Sequence, residues 1–384
     1  MSERWDVFCR VVDNYGDVGV SWRLARSLAR EHGKRVRLWL DDVAVLARLR
    51  PEVVAKDAQE LEGVEIRRMR EAFNPADVAD VVVETFGCDP PAAYVQAMVG
   101  REPPVRWINV EYLSAEAWVE GSHALPSPNP RLPLTKHYFF PGFTPRTGGL
   151  LREAGLAERR AAFQEDPGAQ AAFWTSLTGA VPPGGALKVS LFTYPGAPVG
   201  ALVEACAALP MPVWIIAPEG EGAAALEAWA EARDDDRSAA GCSLEAFAVP
   251  FLPQDRYDEL LWACDVNFVR GEDSFVRAQW AARPFVWHIY PQSDGAHRVK
   301  LEAFLARYTA GLDEGTAAVL RTLWRTWNGL GEVLGAQATL TAAWQRFAAA
   351  REGLDAHARA WSRSLQLQPE LAAALVKLAG NLLK

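Results

Sequence analysis

The sequence lacks several features that mark particular classes of protein. Its cysteines are odd in number and scattered, with no Cys-x-x-Cys pair: Cys9, Cys88, Cys206, Cys242 and Cys264. Because a disulfide framework or a structural zinc site needs clustered cysteines, this pattern predicts reduced thiols and a cytoplasmic location. No apolar stretch approaches the roughly 20 residues of a membrane-spanning helix, and the first residues do not resemble a signal peptide. We therefore expect neither membrane insertion nor secretion.

An excess of positive charge is also missing. The chain has 40 lysines and arginines against 48 aspartates and glutamates, which gives a formal net charge of -8. Since nucleic-acid-binding proteins usually carry a basic face, this balance predicts no nucleic-acid partner. Half of the 384 residues are hydrophobic and fewer than a quarter are charged, which is enough for two hydrophobic cores of ordinary size.

Common metal-binding patterns are absent too. No two histidines have the His-x-x-x-His spacing. The stretch from Asp234 to Asp236 has the Asp-x-Asp spacing of metal-dependent sugar transferases, but it lies between Arg233 and Arg237 and no apolar strand leads into it. We interpret this stretch as a solvated loop and predict no metal ion.

Strand-like and helix-like segments alternate twice along the chain, which predicts an α/β fold with parallel sheets and crossover helices. Strands of the first series are predicted at Val7–Val12, Val36–Leu40, Val81–Glu84 and Val105–Val110, with an amphipathic helix at Val20–Glu31. Strands of the second series are predicted at Leu187–Phe192, Val213–Ile216, Leu244–Val249, Val266–Val269 and Pro284–His288. The proline-rich segment 127–149 is interpreted as an ordered excursion, and the chain is predicted to be almost wholly helical from about residue 298.

This pattern predicts two Rossmann-like domains, at residues 1–182 and 183–355, followed by C-terminal helices at 356–384 that pack back on the first domain. Domains of this kind bind ligands at the carboxyl ends of their strands. We therefore expect an active site in a cleft between the two domains.

The first chemical motif extends from Val12 to Arg23, directly after the first strand and before the first helix. Gly16 and Gly19 are predicted to let the backbone turn tightly beside a ligand, and Asp13 and Asp17 place two carboxylates there. Because two carboxylates repel pyrophosphate, we interpret the loop as facing a cation or a sugar. The alternative is that both aspartates only form an Asx turn and cap the helix.

The second motif extends from Phe268 to Trp280 and again joins a strand, a glycine turn and a helix. Ser274 and the N–H groups of the first helical turn suit a phosphate, and Arg270 can add a charge-assisted contact. The alternative is that Glu272, Asp273 and Ser274 simply cap the helix. The residues of this segment alone leave both interpretations open.

Together the two motifs resemble those of one family, the bacterial arginine rhamnosyltransferases that modify elongation factor P, known as EarP. The matching stretches are Asp13–Ala25 (DNYGDVGVSWRLA) and Arg270–Ala281 (RGEDSFVRAQWA), extended by Pro284–Trp287 and Ile289–Gln292. Strings of this length are far more specific than a glycine-rich pattern. The resemblance extends from Trp5 to the terminal helices.

The resemblance implies a GT-B fold, with the acceptor protein on the N-terminal domain and dTDP-β-L-rhamnose mainly on the C-terminal domain. It implies a cytoplasmic, inverting enzyme that moves L-rhamnose to the guanidinium of one arginine in elongation factor P and so activates that translation factor. It implies no cofactor and no metal ion.

The resemblance also assigns roles to individual residues. Asp17 matches the general base or acceptor-orienting carboxylate, Glu272 the second catalytic acid, and Asp13 a supporting acid. The residues expected on the sugar side are Asn14, Tyr15 and Gly16, and those expected to bind the nucleotide sugar are Phe192, Tyr194, Phe251, Gln254, Arg270, Asp273 and Ser274.

Elementary chemistry limits what Asp17 can do. The pKa of a guanidinium lies above about 12, so an aspartate cannot remove its proton in the ground state. We expect Asp17 to bind and orient the guanidinium and to take the proton late, as the C–N bond forms. Tyr194 and Phe251 are expected to supply flat faces to thymine. His288 receives no role, because no acid or base function is left unfilled.

Two other functions fit the same residues. One is a GT-B glycosyltransferase with a glycan or lipid acceptor, since Asp13 and Asp17 suit either acceptor. The other, from a different class, is a non-catalytic nucleotide-sugar-binding scaffold that docks on the translation factor.

Overall fold

The computed structural model describes residues 3–70, 74–232, 244–330 and 336–383. The chain divides into two compact units, the first built from residues 1–154 and 365–384 and the second from residues 155–364. Each unit contains a sheet with helices packed on it. The predicted α/β fold class with two Rossmann-like domains is therefore confirmed.

The first unit is organised around a mostly parallel sheet. Its strands are β1 (Arg4–Cys9), β2 (Arg35–Leu40), β3 (Ala58–Leu61), β4 (Val64–Arg68), β5 (Val81–Thr85), β6 (Arg106–Val110), β7 (Pro126–Pro128) and β8 (Thr135–Phe139). They lie in the order β3-β4-β2-β1-β5-β6-β8-β7, and only the outer pairs β3/β4 and β7/β8 are antiparallel. Every residue of β5 and β6 is buried, because helices cover a central parallel strand on both faces.

The helices of the first unit are α1 (Asn14–Arg30), α2 (Val43–Leu49), α3 (Ala92–Met98) and α4 (Val119–Ser122), together with the last helix of the chain, α15 (Leu371–Asn381). Helix α15 packs on α1. The N–H of Leu371 donates to the carbonyl of Leu150 at 3.1 Å. A Cβ atom on Gly149, whose φ is +70°, would lie 1.8 Å from the Pro369 carbonyl oxygen. This contact therefore requires glycine.

The second unit contains a parallel sheet in the order β11-β10-β9-β12-β13. Its strands are β9 (Leu187–Leu191), β10 (Val213–Pro218), β11 (Leu244–Val249), β12 (Val266–Arg270) and β13 (Phe285–His288). Its helices are α5 (Leu156–Glu165), α6 (Pro167–Thr178), α7 (Val199–Ala207), α8 (Glu221–Glu231), α9 (Gln254–Ala263), α10 (Asp273–Ala281), α11 (Ala296–Tyr308), α12 (Glu314–Trp327), α13 (Ala336–Ala349) and, across the boundary of the unit, α14 (Arg351–Gln366).

The division between the units differs from the predicted boundaries. It lies after residue 154 and not after 182, because α5 packs on α9 and α10. The Gln164 side chain donates to the carbonyls of Trp262 and Ala281 at 3.1 and 3.2 Å. Most of α14 also belongs to the second unit, where Trp361 Nε1 donates to Gln279 Oε1 at 2.9 Å. Only the chain from residue 365 onward returns to the first unit.

The predicted bounds of the first strand and helix are wrong. Strand β1 ends at Cys9 and does not extend to Val12, and α1 begins at Asn14 and not near Val20. The helical turn starts where the N–H of Gly16 donates to the Asp13 carbonyl at 2.7 Å. The predicted excursion at 127–149 contains β8, which pairs with β6 in parallel. Strands β3, β4, β7 and β8 were not predicted.

Candidate active site

Asp17 lies in the first turn of α1, at the edge of the first unit's sheet where β1 ends. The residue is 2% exposed. One carboxylate oxygen, Oδ2, accepts hydrogen bonds from the backbone N–H groups of Val12 and Asp13 at 2.9 and 2.8 Å. The Oδ2 oxygen therefore fixes the backbone that joins β1 to α1. The other oxygen, Oδ1, makes neither of these backbone hydrogen bonds.

The two glycines of the first motif have a different role from the predicted one. Gly16 and Gly19 lie inside α1 and not in a tight turn. A Cβ atom on Gly16 would lie 2.7 Å from Oδ2 of Asp13, so this glycine leaves room for the Asp13 carboxylate. Asp13 precedes the helix, yet its side chain makes no capping hydrogen bond. The capping interpretation thus fails for Asp13, whereas Asp17 does bond to the backbone.

The remaining residues of the first motif stand at the start of the same helix. Tyr15 and Gly16 are half-buried in its first turn. The side chain of Asn14 lies outside the part of the chain that the structure describes.

Tyr112 contacts Asp17 and Phe86 stacks on Tyr112, and neither residue was predicted from the sequence. Tyr112 follows β6, and its hydroxyl donates to Asp17 Oδ1 at 3.3 Å. Phe86 follows β5, and its ring stacks on that of Tyr112 with centroids 4.3 Å apart and planes inclined by 15°. The available signal was their position just after two parallel strands, β5 beside β1 and β6 beside β5.

The pKa of Asp17 is higher than that of an exposed aspartate, so Asp17 takes up a proton more readily. Burial raises the pKa of Asp17, and Asp41 adds a smaller increase. The hydrogen bonds from the backbone at Asp13 and Val12 and from Tyr112 lower that pKa and offset part of the increase. A carboxylate of this kind suits a cationic ligand, whose positive charge would stabilise the ionised form that burial disfavours.

Arg270 is the centre of the candidate site in the second unit. It ends β12, and its guanidinium carbon lies 4.4 Å from the ring centroid of Phe192 and 4.7 Å from that of Tyr194. The structure thus brings together three residues that were each predicted to bind the nucleotide sugar. Because two aromatic rings hold its guanidinium, Arg270 is a pre-organised cation at the carboxyl end of the sheet.

The turn that follows Arg270 has the predicted form. Gly271 has a φ of +61°, and α10 begins at Asp273. The hydroxyl of Ser274 accepts a hydrogen bond from the N–H of Arg270 at 3.1 Å and donates to the carbonyl of the same residue. Ser274 therefore shapes the turn with its side chain. The groups of this turn that suit an anion are the backbone N–H groups at the start of α10.

The other predicted residues of the second motif stand around this turn. Glu272 is the residue before α10, half-buried, and its side chain makes no capping hydrogen bond. Asp273 accepts a hydrogen bond from Gln254 Nε2 at 3.2 Å, which links the starts of α9 and α10. Phe251 lies half-buried in the loop before α9. The capping interpretation is therefore not supported for Glu272.

His288 adds a contact that the sequence did not indicate. It ends β13 next to Arg270 in the sheet register. Its Nδ1 accepts a hydrogen bond from the N–H of Tyr194 at 3.2 Å and lies 2.5 Å from Thr193 Oγ1. Burial and the charge of Arg270 lower the pKa of His288 to about 4, so the ring is neutral at pH 7. His288 therefore holds Tyr194 against Arg270 without adding charge.

The predictions about metal and membrane can be compared only with the described residues. Within the described ranges, no three His, Cys, Asp or Glu side chains are grouped so that they could hold a metal ion. The predicted solvated loop at Asp234 to Asp236 lies outside those ranges. In the same part of the chain, no helix is both long and apolar enough to cross a membrane.

Comparison with known proteins decides the family. The model of the family described as "Elongation-Factor P (EF-P) rhamnosyltransferase EarP" matches residues 5–380. The chain belongs to the EarP family. The protein-arginine rhamnosyltransferase of Pseudomonas putida is 46% identical over 389 residues, which cover 99% of this chain and 100% of the relative. That of Pseudomonas aeruginosa is 44% identical, with 97% of this chain and 98% of the relative covered.

Solved structures agree with this assignment. A structure that describes EarP-mediated arginine glycosylation of translation elongation factor EF-P has a TM-score of 0.68 and 35% identity, with 99% of each chain covered. The spinosyn forosaminyltransferase SpnP, at 11% identity, has a TM-score of 0.51, with 100% of each chain covered, and shows a likeness of fold alone. The predictions of the family, of a GT-B fold and of a glycosyltransferase are confirmed.

Proposed function

We propose that this enzyme transfers L-rhamnose from dTDP-β-L-rhamnose to the guanidinium of an arginine in elongation factor P, with inversion at the sugar carbon and in the cytoplasm. Relatives at 46% and 44% identity over nearly the whole chain support arginine as the acceptor. The observation that carries the proposal is the buried Asp17 carboxylate, whose charge a cationic acceptor would balance. Such a carboxylate can also act as a base toward a sugar hydroxyl, so the preference for arginine over a glycan or lipid acceptor rests on the relatives.

The donor is assigned to the second unit. Its diphosphate carries negative charge, and Arg270 with the N–H groups at the start of α10 offers fixed positive charge at the carboxyl end of the sheet. These groups stabilise the diphosphate as it leaves, so the proposed reaction needs no metal ion. Phe251 and Tyr194 remain the proposed flat partners of thymine.

The acceptor is assigned to Asp17 in the first unit. In the proposed step, a guanidinium nitrogen attacks the anomeric carbon of rhamnose from the face opposite the diphosphate. The new C–N bond forms as the bond from that carbon to the diphosphate oxygen breaks, and the leaving oxygen keeps the electron pair. The nitrogen becomes acidic as the bond forms, and its proton passes to Asp17. Asp13 supports the charge balance, and Glu272 is proposed as the second catalytic acid.

The experiment is intact-mass analysis of elongation factor P after incubation with the enzyme and dTDP-β-L-rhamnose. We expect the mass to increase by one deoxyhexose. Asp17→Asn is the matched variant, because it keeps the shape of the side chain and removes its charge. No mass increase with folded enzyme and fresh donor would contradict the proposal. Transfer to a glycan or lipid in the same assay would favour the competing acceptor class.

A further inference from the structure

The stacked rings of Phe86 and Tyr112 occupy the carboxyl end of the first unit's sheet beside Asp17. Phe86 is the first residue after β5, and Tyr112 is the second residue after β6. Both side chains are half-buried. Ring centroids 4.3 Å apart with planes inclined by 15° make a close stack, so the position of one ring determines that of the other.

The backbone of Phe86, whose ring forms half of this stack, has a strained conformation. Its φ is +59°, in the left-handed region that bulky side chains rarely adopt. The N–H of Phe86 donates to the Val110 carbonyl at 2.7 Å, and the next N–H, at Gly87, donates to Asn109 Oδ1 at 3.1 Å. Both bonds tie the strained residue to β6, the strand that leads to Tyr112. Strain of this kind persists only where its surroundings impose it, and it concentrates at functional sites.

The two oxygens of Asp17 have unequal surroundings. Oδ2 accepts two backbone N–H groups at 2.9 and 2.8 Å. Oδ1 has the Tyr112 hydroxyl at 3.3 Å, longer than the 2.5–3.0 Å of a usual O–H···O hydrogen bond. Oδ1 is therefore the oxygen with remaining capacity for a ligand, and the Tyr112 hydroxyl is the side-chain group that contacts it.

We infer that Tyr112, held in place by Phe86, is a positioning residue that orients the Asp17 carboxylate so that Oδ1 receives the acceptor guanidinium. The inference rests on the proposed function, because it gives Tyr112 its role through the proposed proton acceptor. Tyr112 itself takes no part in bond making or breaking.

A consequence for pH dependence follows from the groups that face Asp17. They are the Tyr112 hydroxyl after β6, the Asp41 carboxylate after β2, the Cys9 thiol on β1 and the backbone N–H groups of Val12 and Asp13. Burial and Asp41 raise the pKa of Asp17, whereas the Tyr112 hydroxyl lowers it. Removing that hydroxyl raises the pKa further. Asp17 then becomes protonated at a higher pH, and transfer activity is lost earlier as the solution is acidified.

The test is Tyr112→Phe, which keeps the stacked ring and removes only the hydroxyl. We expect kcat to fall about three- to tenfold, as for the loss of one modest hydrogen bond. The acid limb of the kcat/KM profile should move to higher pH, with KM for dTDP-β-L-rhamnose and the melting temperature unchanged. Phe86→Leu removes the stacking partner and should shift the profile in the same direction. Tyr138→Phe is the matched control, a half-buried tyrosine of the same unit that stacks on Phe140.

The outcomes separate the inference from the proposed function. If the wild-type enzyme transfers no rhamnose, the proposed function fails and the inference fails with it. If the wild-type enzyme is active and Tyr112→Phe matches it in both rate and pH profile, the inference alone is overturned. The same holds if Tyr112→Phe and Tyr138→Phe lose activity equally without a shift of the acid limb, because that result indicates a general structural effect.

Discussion

Arg270→Ala tests the donor site with a magnitude that follows from the structure. The guanidinium lies between Phe192 and Tyr194, 4.4 and 4.7 Å from their ring centroids, so little side-chain freedom is lost when it binds a phosphate. A charge-assisted hydrogen bond contributes about 1.5–3 kcal/mol. We therefore expect the Kd for dTDP-β-L-rhamnose to increase by about 10- to 150-fold. Arg270→Lys should give an intermediate loss, because it keeps the charge but not the planar fork.

The assay is calorimetric titration of each variant with the donor. Arg256→Ala is the matched control, because Arg256 also stacks on an aromatic ring, with its guanidinium carbon 4.7 Å from the Phe173 centroid, but it bonds to Glu259 and Ser176. Its Kd should equal that of the wild type. The reasoning is refuted if Arg270→Ala binds the donor within about twofold of the wild type, or if Arg256→Ala weakens binding equally.

Further predictions concern the acceptor site, metal dependence and stability. Asp17→Asn should keep the donor Kd within a few fold while turnover falls about a hundredfold or more, measured by calorimetry and by transfer rate; loss of donor binding would contradict the assignment. EDTA should leave the transfer rate unchanged, and loss of activity restored by magnesium or manganese would contradict metal independence. Gly149→Ala should lower the unfolding free energy, measured by urea titration, by more than about 3 kcal/mol, because its Cβ would lie 1.8 Å from a carbonyl oxygen. Gly100→Ala is the control: its φ is +74° but its Cβ would meet open space, so the unfolding free energy should fall by only about 1–2 kcal/mol. Burial and the neighbouring arginine lower the pKa of His288 to about 4, below its unfolded value near 6.5, so protonation favours the unfolded chain. The unfolding free energy of the wild type should therefore decline as the pH falls from about 6.5 to about 4. This part of the decline should be missing in His288→Asn, and identical pH profiles of the two proteins would contradict the prediction.

The sequence predicted the second sheet closely, for a clear physical reason. Strand β11 has the predicted bounds, Leu244–Val249, and β12 exceeds the prediction by a single residue, Arg270. Buried parallel strands are continuous apolar runs bounded by turn residues, and such runs can be recognised locally. Strand β8 could not be recognised in this way. Its sequence is largely polar and follows a proline-rich stretch, and it is a strand because it pairs with β6 on one side and β7 on the other.

The start of α1 shows how tertiary contacts override local preference. Two glycines in six residues predicted a loop, because glycine weakens a helix. The segment is helical from Asn14 because the Asp17 carboxylate binds the backbone N–H groups ahead of the helix, and because Gly16 leaves room for Asp13. Neither contact can be read from residue types alone.

The candidate site was predictable in its residue types but not in its arrangement. Phe192, Tyr194 and Arg270 were each predicted as donor-binding residues. Their stack forms because β9 and β12, which are far apart in the sequence, end side by side in the sheet. Tyr112 and His288 belong to no motif that could be recognised in the sequence. Each acts through a contact with a residue far away in the sequence, and only the sheet order brings these pairs together.

The chemical nature of the acceptor is the central claim, and tandem mass spectrometry of the modified elongation factor P tests it most directly. The enzyme, the donor and the unmodified factor are incubated together, and the product is fragmented by a method that preserves the sugar on its side chain. The account predicts one deoxyhexose on the guanidinium of a single arginine, formed about a hundredfold more slowly when Asp17→Asn replaces the wild-type enzyme. A deoxyhexose on a serine, threonine, asparagine or lysine, or equal modification by Asp17→Asn, would contradict the account.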